Sequence, residues 1–268
     1  MVSIIKIIRS ILDYIRAMYH HPPSIKRLHH RVFGPIRARR IYGIGPKPYA
    51  LFNLASVAEA QWPHYVLDEP LKKILYRLSS AEDRLVANDK LRFHAHCVRH
   101  NIATPSIVGI MLAAPMCHSP QEKVLSSASD FIQHFSANPG KYFFKLIDGS
   151  HGRQAFQVSI AHGKATWHNE PHSIAVLHQH CENIMRQEVG WVIQPCVSNH
   201  KKLYELMSSH GLSTIRLVSV LKDEKYQLVA ACIRLIVGAN EVDNFSHGAS
   251  GNLAAAVDIE TGKLLAAR

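Results

Sequence analysis

The chain has 268 residues, of which 47% are hydrophobic and 19% charged, so it can bury a large core in one large domain or two modest ones. The formal net charge of +11 favours anionic partners such as nucleotides, nucleic acids, acidic glycans or a membrane surface. Five scattered cysteines without a Cys-x-x-Cys pair exclude a regular disulfide framework and indicate a reducing, cytoplasmic compartment.

Residues 1–19 carry isoleucines and leucines at helical spacing, which predicts an amphipathic helix. Lys6, Arg9, Asp13 and Arg16 interrupt this pattern, so the segment is too charged to span a bilayer. Such a basic helix either lies on a membrane surface, here the inner face, or packs on the protein's own core, which is the commoner fate. Residues 20–50 are basic and rich in Pro and Gly, which predicts an irregular connector without a long helix.

The next elements are predicted from the spacing of apolar residues and from residues that begin or end helices. Helices are predicted over residues 51–61 and 70–79, and Asp89 is placed to cap a helix over residues 90–100. An apolar run at 107–114 predicts a strand, and residues 121–136 suit another helix.

Residues 142–159 predict a strand, a glycine loop and a second strand. Lys145 lies in the first strand, and Gly149 and Gly152 lie in the loop. Glycines let backbone N–H groups approach an anion closely, and a lysine supplies a point charge, so the pattern suits phosphate binding. It is not a Walker P-loop, and an ordinary hairpin with a solvated lysine explains these residues equally well.

Two further strands, 213–221 and 226–238, are predicted around a turn at Asp223 and Glu224. Each strand carries an arginine, Arg216 in the first and Arg234 in the second. Such arginines point to solvent, form local ion pairs, or act as a bidentate clamp for a carboxylate or phosphate.

The order of these motifs resembles the ATP-grasp superfamily. Asn88-Asp89-Lys90 opens a helix, a Thr104-Pro105 step leads into a strand, and a Phe-Lys strand precedes a Gly-Ser-x-Gly loop. Later blocks at residues 211–218, 232–238, 242–248 and 256–262 are similar to the sugar-transfer-associated, alpha-L-glutamate-ligase-like members. The resemblance covers roughly residues 80–268.

We expect an α+β fold in three parts, of which the resemblance implies the second and third. Residues 1–80 are predicted from their own pattern to be a helical and irregular basic region, and residues 81–138 would form a small α/β subdomain. Residues 139–268 form the ATP-grasp-like domain, an antiparallel sheet with flanking helices that faces the subdomain across ATP. The C-terminal part of the grasp is expected to be missing from this chain.

The resemblance also implies a site. Lys90 and Lys145 would hold phosphate oxygens, and the amides of Ser150, His151 and Gly152 would close over the phosphates as a lid. The hinge strand beside adenine would contain Gln194 and Val197, with the key amide contact near Val197. Arg216, Arg234 and Asn244 would be the catalytic residues, the two arginines as a clamp for a carboxylate or phosphate and Asn244 in a loop that lines the acceptor site.

The implied reaction joins a carboxylate to an amine, or to a sugar-linked acceptor, through an acyl phosphate made from ATP. It would act in cell-surface polysaccharide or peptide modification. ATP-grasp enzymes usually bind Mg²⁺ through an acidic residue and a later Glu-x-Asn, and no such motif follows here. Asp243 and Asp258 are the acidic candidates for Mg²⁺.

Two other functions stay open. A degenerate member would bind nucleotide, or act as a scaffold, without turnover. A basic module would bind nucleic acid or a membrane surface, although no aromatic platform for nucleic-acid bases is present.

A repeated His-x-His-Cys pattern offers one further site. His94 with Cys97, and His178 with Cys181, could supply four zinc ligands from two helices. With 19 histidines in the chain, a chance repeat of helix surface and core residues is the simpler interpretation.

Overall fold

The computed structural model describes residues 33–65, 67–114, 122–150, 152–207, 209, 211–246 and 249–267. The helix predicted for residues 1–19 and the lid residue His151 lie outside these ranges. The chain divides into two compact units, Met1–Ala81 and Glu82–Arg268. In the part that the structure describes, no helix is long and apolar enough to cross a membrane.

The first unit contains α1 (Gly34–Tyr42), α2 (Pro46–Leu51), two 3₁₀ segments (Leu54–Ser56 and Glu59–His64) and α3 (Asp68–Leu78). The expectation of an irregular connector over residues 20–50 is wrong for α1. This helix accommodates a proline in its first turn and ends at Gly43, which adopts a left-handed conformation with φ 68°. The helix predicted at 51–61 is also wrong, because Asn53 takes a positive φ of 49° between α2 and the first 3₁₀ segment.

Trp62 is the centre of this unit's core, with 1% of its surface exposed. Its ring packs edge-on against Tyr49 at 5.5 Å, and its Nε1–H donates to the Val57 carbonyl at 3.1 Å. On the surface, Arg37 donates to Glu59 at 2.6 Å.

The second unit begins with α4 (Ala81–Asn88) and α5 (Lys90–Arg99). Asp89 caps α5 as predicted, since its carboxylate accepts from the backbone N–H groups of Leu91 and Arg92 at 2.8 and 3.0 Å. The other helices are α6 (Ala128–Ala137), α7 (Ile174–Met185) and α8 (Lys201–Met207).

A six-stranded antiparallel sheet follows the order β1-β6-β2-β3-β4-β5. Its strands are β1 (Gly109–Leu112), β2 (Gly140–Leu146), β3 (Phe156–Ala161), β4 (Lys164–Trp167), β5 (Glu170–Ser173) and β6 (Gly190–Pro195). The predicted strand, loop and strand over residues 142–159 are therefore confirmed as β2, its loop and β3.

The alternation of β2 determines what its two faces do. Tyr142, Phe144 and Leu146 are buried in the main core, where Phe144 stacks on Phe156 at 5.3 Å. Burying each such aromatic side chain contributes about 1.5–3 kcal/mol. Because successive strand residues point to opposite faces, Phe143 and Lys145 face away from this core.

A second, four-stranded antiparallel sheet has the order β10-β9-β8-β7. Its strands are β7 (Thr214–Lys222), β8 (Lys225–Leu235), β9 (Leu253–Val257) and β10 (Leu264–Ala267). Asp223 and Glu224 form the predicted turn between β7 and β8, both with positive φ (49° and 59°), as a two-residue hairpin turn requires.

The α+β fold with antiparallel sheets and flanking helices is confirmed. β1 pairs with β6, so residues 109–112 belong to the same sheet as the strands after residue 139. The predicted boundary between a small subdomain at 81–138 and a larger domain stays a prediction.

Candidate functional site

A cavity of about 550 Å³ lies within the second unit. Strands β2 and β6 of the first sheet and β7 and β8 of the second contribute to its walls. The structure brings six of the residues predicted for nucleotide binding to this cavity: Lys90, Lys145, Gly149, Gly152, Gln194 and Val197. Four predicted acceptor or metal residues line it too: Arg216, Arg234, Asp243 and Asn244.

Lys145 reaches the cavity from the face of β2 opposite the core. Its ammonium group donates to Gln194 Oε1 at 2.9 Å and lies 5.2 Å from the centre of the Phe143 ring. Burial lowers the pKa of Lys145, an effect that the nearby Cys196 thiol partly opposes. The lysine therefore sits where an anionic ligand would stabilise its charge.

Lys90 approaches the same cavity from the first turn of α5. Its Nζ donates to the carbonyls of Gly149 at 2.5 Å and Ile147 at 3.3 Å. The pKa of Lys90 is lowered by burial and by the positive charge of Lys145, against the opposing effect of Asp148. Two partly buried ammonium groups that repel each other make this wall of the cavity suited to a polyanion.

The glycine loop joins β2 to β3 over residues 147–155. A Cβ on Gly149 would lie 2.9 Å from the Leu146 Cβ, so the loop needs glycine there. Gly152 has φ 71°, and a Cβ on it would lie 3.2 Å from Val242. Of the predicted lid residues, Gly152 lines the cavity, the Ser150 carbonyl accepts from the Arg153 N–H at 3.0 Å, and His151 lies outside the described residues.

Arg153 anchors this loop and was not among the predicted site residues. Its guanidinium makes a two-pronged ion pair with Glu188, the second contact at 3.0 Å, and Arg153 also lines the cavity. The ion pair raises the pKa of Arg153 and lowers that of Glu188. The sequence signal that could have identified Arg153 was its position directly after the second glycine of the loop, Gly152.

Gln194 lies on β6, the predicted hinge strand, and only 8% of it is exposed. Its Nε2 donates to the Pro105 carbonyl at 3.1 Å while its Oε1 accepts from Lys145. The side chain thus links Lys145 to the backbone at Pro105. Cys196, the first residue after β6, donates its N–H to the Lys141 carbonyl at 2.9 Å. An adenine contact at the Val197 amide stays a prediction.

Arg216 and Asp243 meet on the opposite wall. Arg216 Nη2 lies 3.4 Å from the Asp243 carboxylate, which also accepts a hydrogen bond from the Thr214 hydroxyl. The local ion pair considered for Arg216 is therefore present at the cavity itself. Arg234 pairs across the sheet with Thr214 and completes this basic wall.

Asn252 organises the loop that carries the acidic residues of the site. Its side chain is buried, and its Nδ2 donates to the carbonyls of Val242 and Asn244 at 2.8 and 3.0 Å. Its Oδ1 accepts from the Val237 N–H at 3.1 Å and from Asn240 Nδ2 at 2.9 Å. One side chain therefore ties together four points of the loop.

Glu241 is a second carboxylate at the cavity that sequence reasoning missed. Its Oε2 accepts from the backbone N–H of Gln157 at 3.0 Å, which joins the loop after β8 to strand β3. The only signal in the sequence was its position beside the block at residues 242–248.

The predicted magnesium ligands do not come together. Asp243 lines the cavity, and one of its carboxylate oxygens, Oδ2, contacts both Thr214 and Arg216. Asp258 lies in the turn between β9 and β10, where its Oδ1 accepts from the backbone and the hydroxyl of Thr261 at 2.7 Å. Among the residues that the structure describes, no three His, Cys, Asp or Glu side chains could hold a metal ion. Two carboxylates, those of Glu241 and Asp243, line the cavity, and Mg²⁺ is commonly held by one or two carboxylates together with ligand phosphates. No chemical step is derived through the metal ion.

The zinc alternative receives no support either. His94 and Cys97 are buried on α5, and His178 and Cys181 are buried on α7, where Phe131 packs 5.2 Å from His178. His94 and His178 instead lie 3.6 Å from Glu122 and Glu182, respectively. Burial raises the pKa of the Cys181 thiol.

A comparison with protein families identifies the class of this fold and site. The family model described as sugar-transfer associated ATP-grasp matches residues 73–268. The chain therefore belongs to the sugar-transfer associated ATP-grasp family, whose superfamily generally uses ATP and Mg²⁺. No curated protein and no solved structure matches the chain.

Proposed function

We propose that the cavity binds ATP and that the chain is an ATP-dependent carboxylate–amine ligase that acts through an acyl phosphate. One observation carries the proposal. Two partly buried lysines, Lys90 and Lys145, meet a glycine loop at a single cavity, and burial lowers the pKa of both. Protonated lysines in such a place gain most from a ligand that carries several negative charges.

The roles divide between the two walls. Lys90, Lys145 and the backbone of the loop from Gly149 to Gly152 would hold the phosphates, while the strand at Gln194 and Val197 would lie beside adenine. Arg216, Arg234 and Asn244 would orient the acid and the acceptor. The basic side chains at both walls support this division, because charge builds on the phosphoryl oxygens during transfer.

The reaction has two steps. A carboxylate oxygen of the acid attacks the γ-phosphorus, the bond from that phosphorus to the β–γ bridging oxygen breaks, and ADP leaves. An amine nitrogen then attacks the acyl carbon, the carbon–oxygen bond to phosphate breaks, and the amine loses a proton. The family description, sugar-transfer associated, supports an acceptor linked to a sugar. The setting that we propose is polysaccharide or peptide modification in the cytoplasm or at the inner membrane face.

A nucleotide-binding protein without turnover is the second candidate. The engagement of Asp243 by Thr214 and Arg216 favours it, because a metal ion would have to compete for Oδ2 with a hydroxyl and a guanidinium group. A nucleic-acid or membrane module ranks third, since the net charge of +11 alone supports it.

Calorimetric titration with ATP, with and without Mg²⁺, tests the proposal. Lys145→Ala removes one cation from the cavity. Lys141→Ala is the matched control because Lys141 is an exposed lysine four residues earlier on β2. We expect binding to the wild type and to Lys141→Ala, with a loss of at least about tenfold in Lys145→Ala. Equal binding to all three proteins, or to none, contradicts the proposed site.

Turnover separates the two candidates. Phosphate release is measured with ATP, Mg²⁺ and a panel of acids, each tested with and without amines. Release that requires both an acid and an amine, and that disappears in Lys145→Ala, supports the ligase. Tight ATP binding that ignores Mg²⁺, with no release across the panel, supports the nucleotide-binding protein.

A further inference from the structure

The side chain of Gln194 connects Lys145, one of the two lysines at the cavity, to the backbone carbonyl of Pro105. Its Oε1 accepts from Lys145 Nζ at 2.9 Å, and its Nε2 donates to the Pro105 carbonyl at 3.1 Å. The two contacts define which end of the amide is oxygen and which is nitrogen, since an ammonium group needs an acceptor and a carbonyl needs a donor.

The side chain of Gln194 is buried, and the strand that carries it is paired on both sides. Gln194 is 8% exposed on the central strand β6, which pairs with β1 on one side and β2 on the other. In the register of β2 and β6, Gln194 lies opposite Phe143, and Lys145 lies opposite Val192. The amide therefore reaches diagonally to the lysine, within reach of long side chains on neighbouring strands.

Only a neutral amide satisfies both partners. A carboxylate at this position would pair with Lys145 but would face the Pro105 carbonyl without a hydrogen to donate. It would also supply a counter-charge inside the cavity, which an incoming phosphate would then have to displace. An apolar side chain of similar length would leave both the ammonium group and the carbonyl without this partner.

We propose that Gln194 is a positioning residue that aims Lys145 into the cavity while leaving its positive charge uncompensated for the ligand. This inference deepens the proposed function and rests on it for the identity of the ligand as ATP. It assigns to the side chain of Gln194 a role different from reading the adenine base.

Lysine reactivity in the ligand-free protein tests the positioning role without any reference to ATP. Acetylation of Lys145 is measured against pH by mass spectrometry in the wild type, Gln194→Glu and Gln194→Met. The exposed Lys141 is the reference within each protein. Gln179→Glu, at an exposed position on α7, controls for one added negative charge elsewhere.

We expect the Lys145 profile to move to higher pH by about one unit in Gln194→Glu, because a carboxylate stabilises the ammonium form. In Gln194→Met the profile moves to lower pH, because the ammonium group loses its acceptor. Lys141 stays unchanged throughout, and Gln179→Glu matches the wild type. A Lys145 profile that is the same in the wild type and both Gln194 variants overturns the positioning role.

ATP titrations of the same proteins complete the test. We expect both Gln194 variants to bind ATP at least about tenfold more weakly than the wild type, and Gln179→Glu to bind normally. Shifted reactivity with unchanged ATP affinity overturns the claim that the uncompensated charge serves the ligand. If the wild type itself binds no ATP, the proposed function fails, and the reactivity profiles still decide the positioning role.

Discussion

Lys90 donates from its side chain to the carbonyl of Gly149 at 2.5 Å, and its backbone N–H donates to the carbonyl of Ile147 at 3.1 Å. The first residue of α5 therefore holds the start of the glycine loop at two points. A residue proposed to bind phosphate also supports the loop that would cover the phosphate.

Lys90→Met tests this double role, since methionine keeps the length of the side chain and removes its charge. We expect faster amide exchange over residues 149–155 and ATP binding at least about tenfold weaker, because one substitution removes the loop contact and the cation. Hydrogen exchange by mass spectrometry and calorimetry measure the two effects. Lys141→Met is the control, and unchanged loop exchange in Lys90→Met contradicts the support role.

The lowered pKa values of Lys90 and Lys145 predict that ATP binding takes up protons at alkaline pH. Both values lie below the ordinary value of 10.5, and a phosphate ligand stabilises the charged form and raises them. Affinity should therefore fall as pH rises through the lowered values. Titrations in two buffers with different ionisation enthalpies measure the uptake, and a net proton release in this range would contradict it.

The same shifts affect the ligand-free protein in the opposite sense. Between the lowered folded values and 10.5, the unfolded chain binds more protons than the folded chain. Burial of the two charged lysines therefore lowers the free energy of unfolding below this window, and that cost shrinks as pH rises across the window and is gone above 10.5. In urea titrations, Lys145→Met should gain stability over the wild type by relief of this cost below the window, and that pH-dependent gain should vanish above it.

Substitutions at the ion pair of Arg153 and Glu188 distinguish two roles of Arg153: anchoring the glycine loop and supplying positive charge to the cavity. Glu188→Gln should speed amide exchange over residues 152–155 and leave the Arg153 guanidinium available to a phosphate, so ATP affinity should stay within about threefold of wild type. Arg153→Gln should speed exchange equally and also weaken binding, because Arg153 lines the cavity. Equal ATP affinities in the two variants would show that Arg153 acts only as an anchor.

Gly190 is the position where the sheet tolerates no side chain. It has φ 157°, and a Cβ would lie 2.2 Å from the Met111 carbonyl oxygen across the β1–β6 pairing. Gly190→Ala should lower the free energy of unfolding by about 3 kcal/mol or more. Gly163→Ala is the matched control, since Gly163 has φ 71° with open space around it and should cost only about 1 kcal/mol. Urea unfolding followed by tryptophan fluorescence compares them.

Local sequence signals predicted several elements well. Asp89 was identified as a cap from its residue type and position, and the pair Asp223 and Glu224 as a turn between two apolar strands. Lys90 and Lys145, far apart in sequence, were associated through the order of family motifs, and the structure places both at one cavity. Each of these signals depends on a short stretch of chain or on a known order of motifs.

Contacts across the fold could not be predicted in the same way. The bond from Gln194 to Lys145 depends on the register of β2 and β6, and the pairing of Asp243 with Thr214 and Arg216 depends on a loop meeting a sheet. Neither register nor loop path is encoded in local spacing. The helical prediction at residues 51–61 failed because a single residue, Asn53, adopts a left-handed backbone conformation.

Asn252 gives the two walls of the cavity different mechanical characters. Its amide fixes the loop that presents Asp243 and Asn244 at four points, whereas Lys90 and the ion pair of Arg153 with Glu188 anchor the glycine loop near its two ends. Under the proposed function, the glycine loop would close around the phosphates while the loop held by Asn252 stays in place beside the acceptor. Substrate choice on that side would then be a matter of shape, because an acceptor that is too large would meet a wall that does not yield.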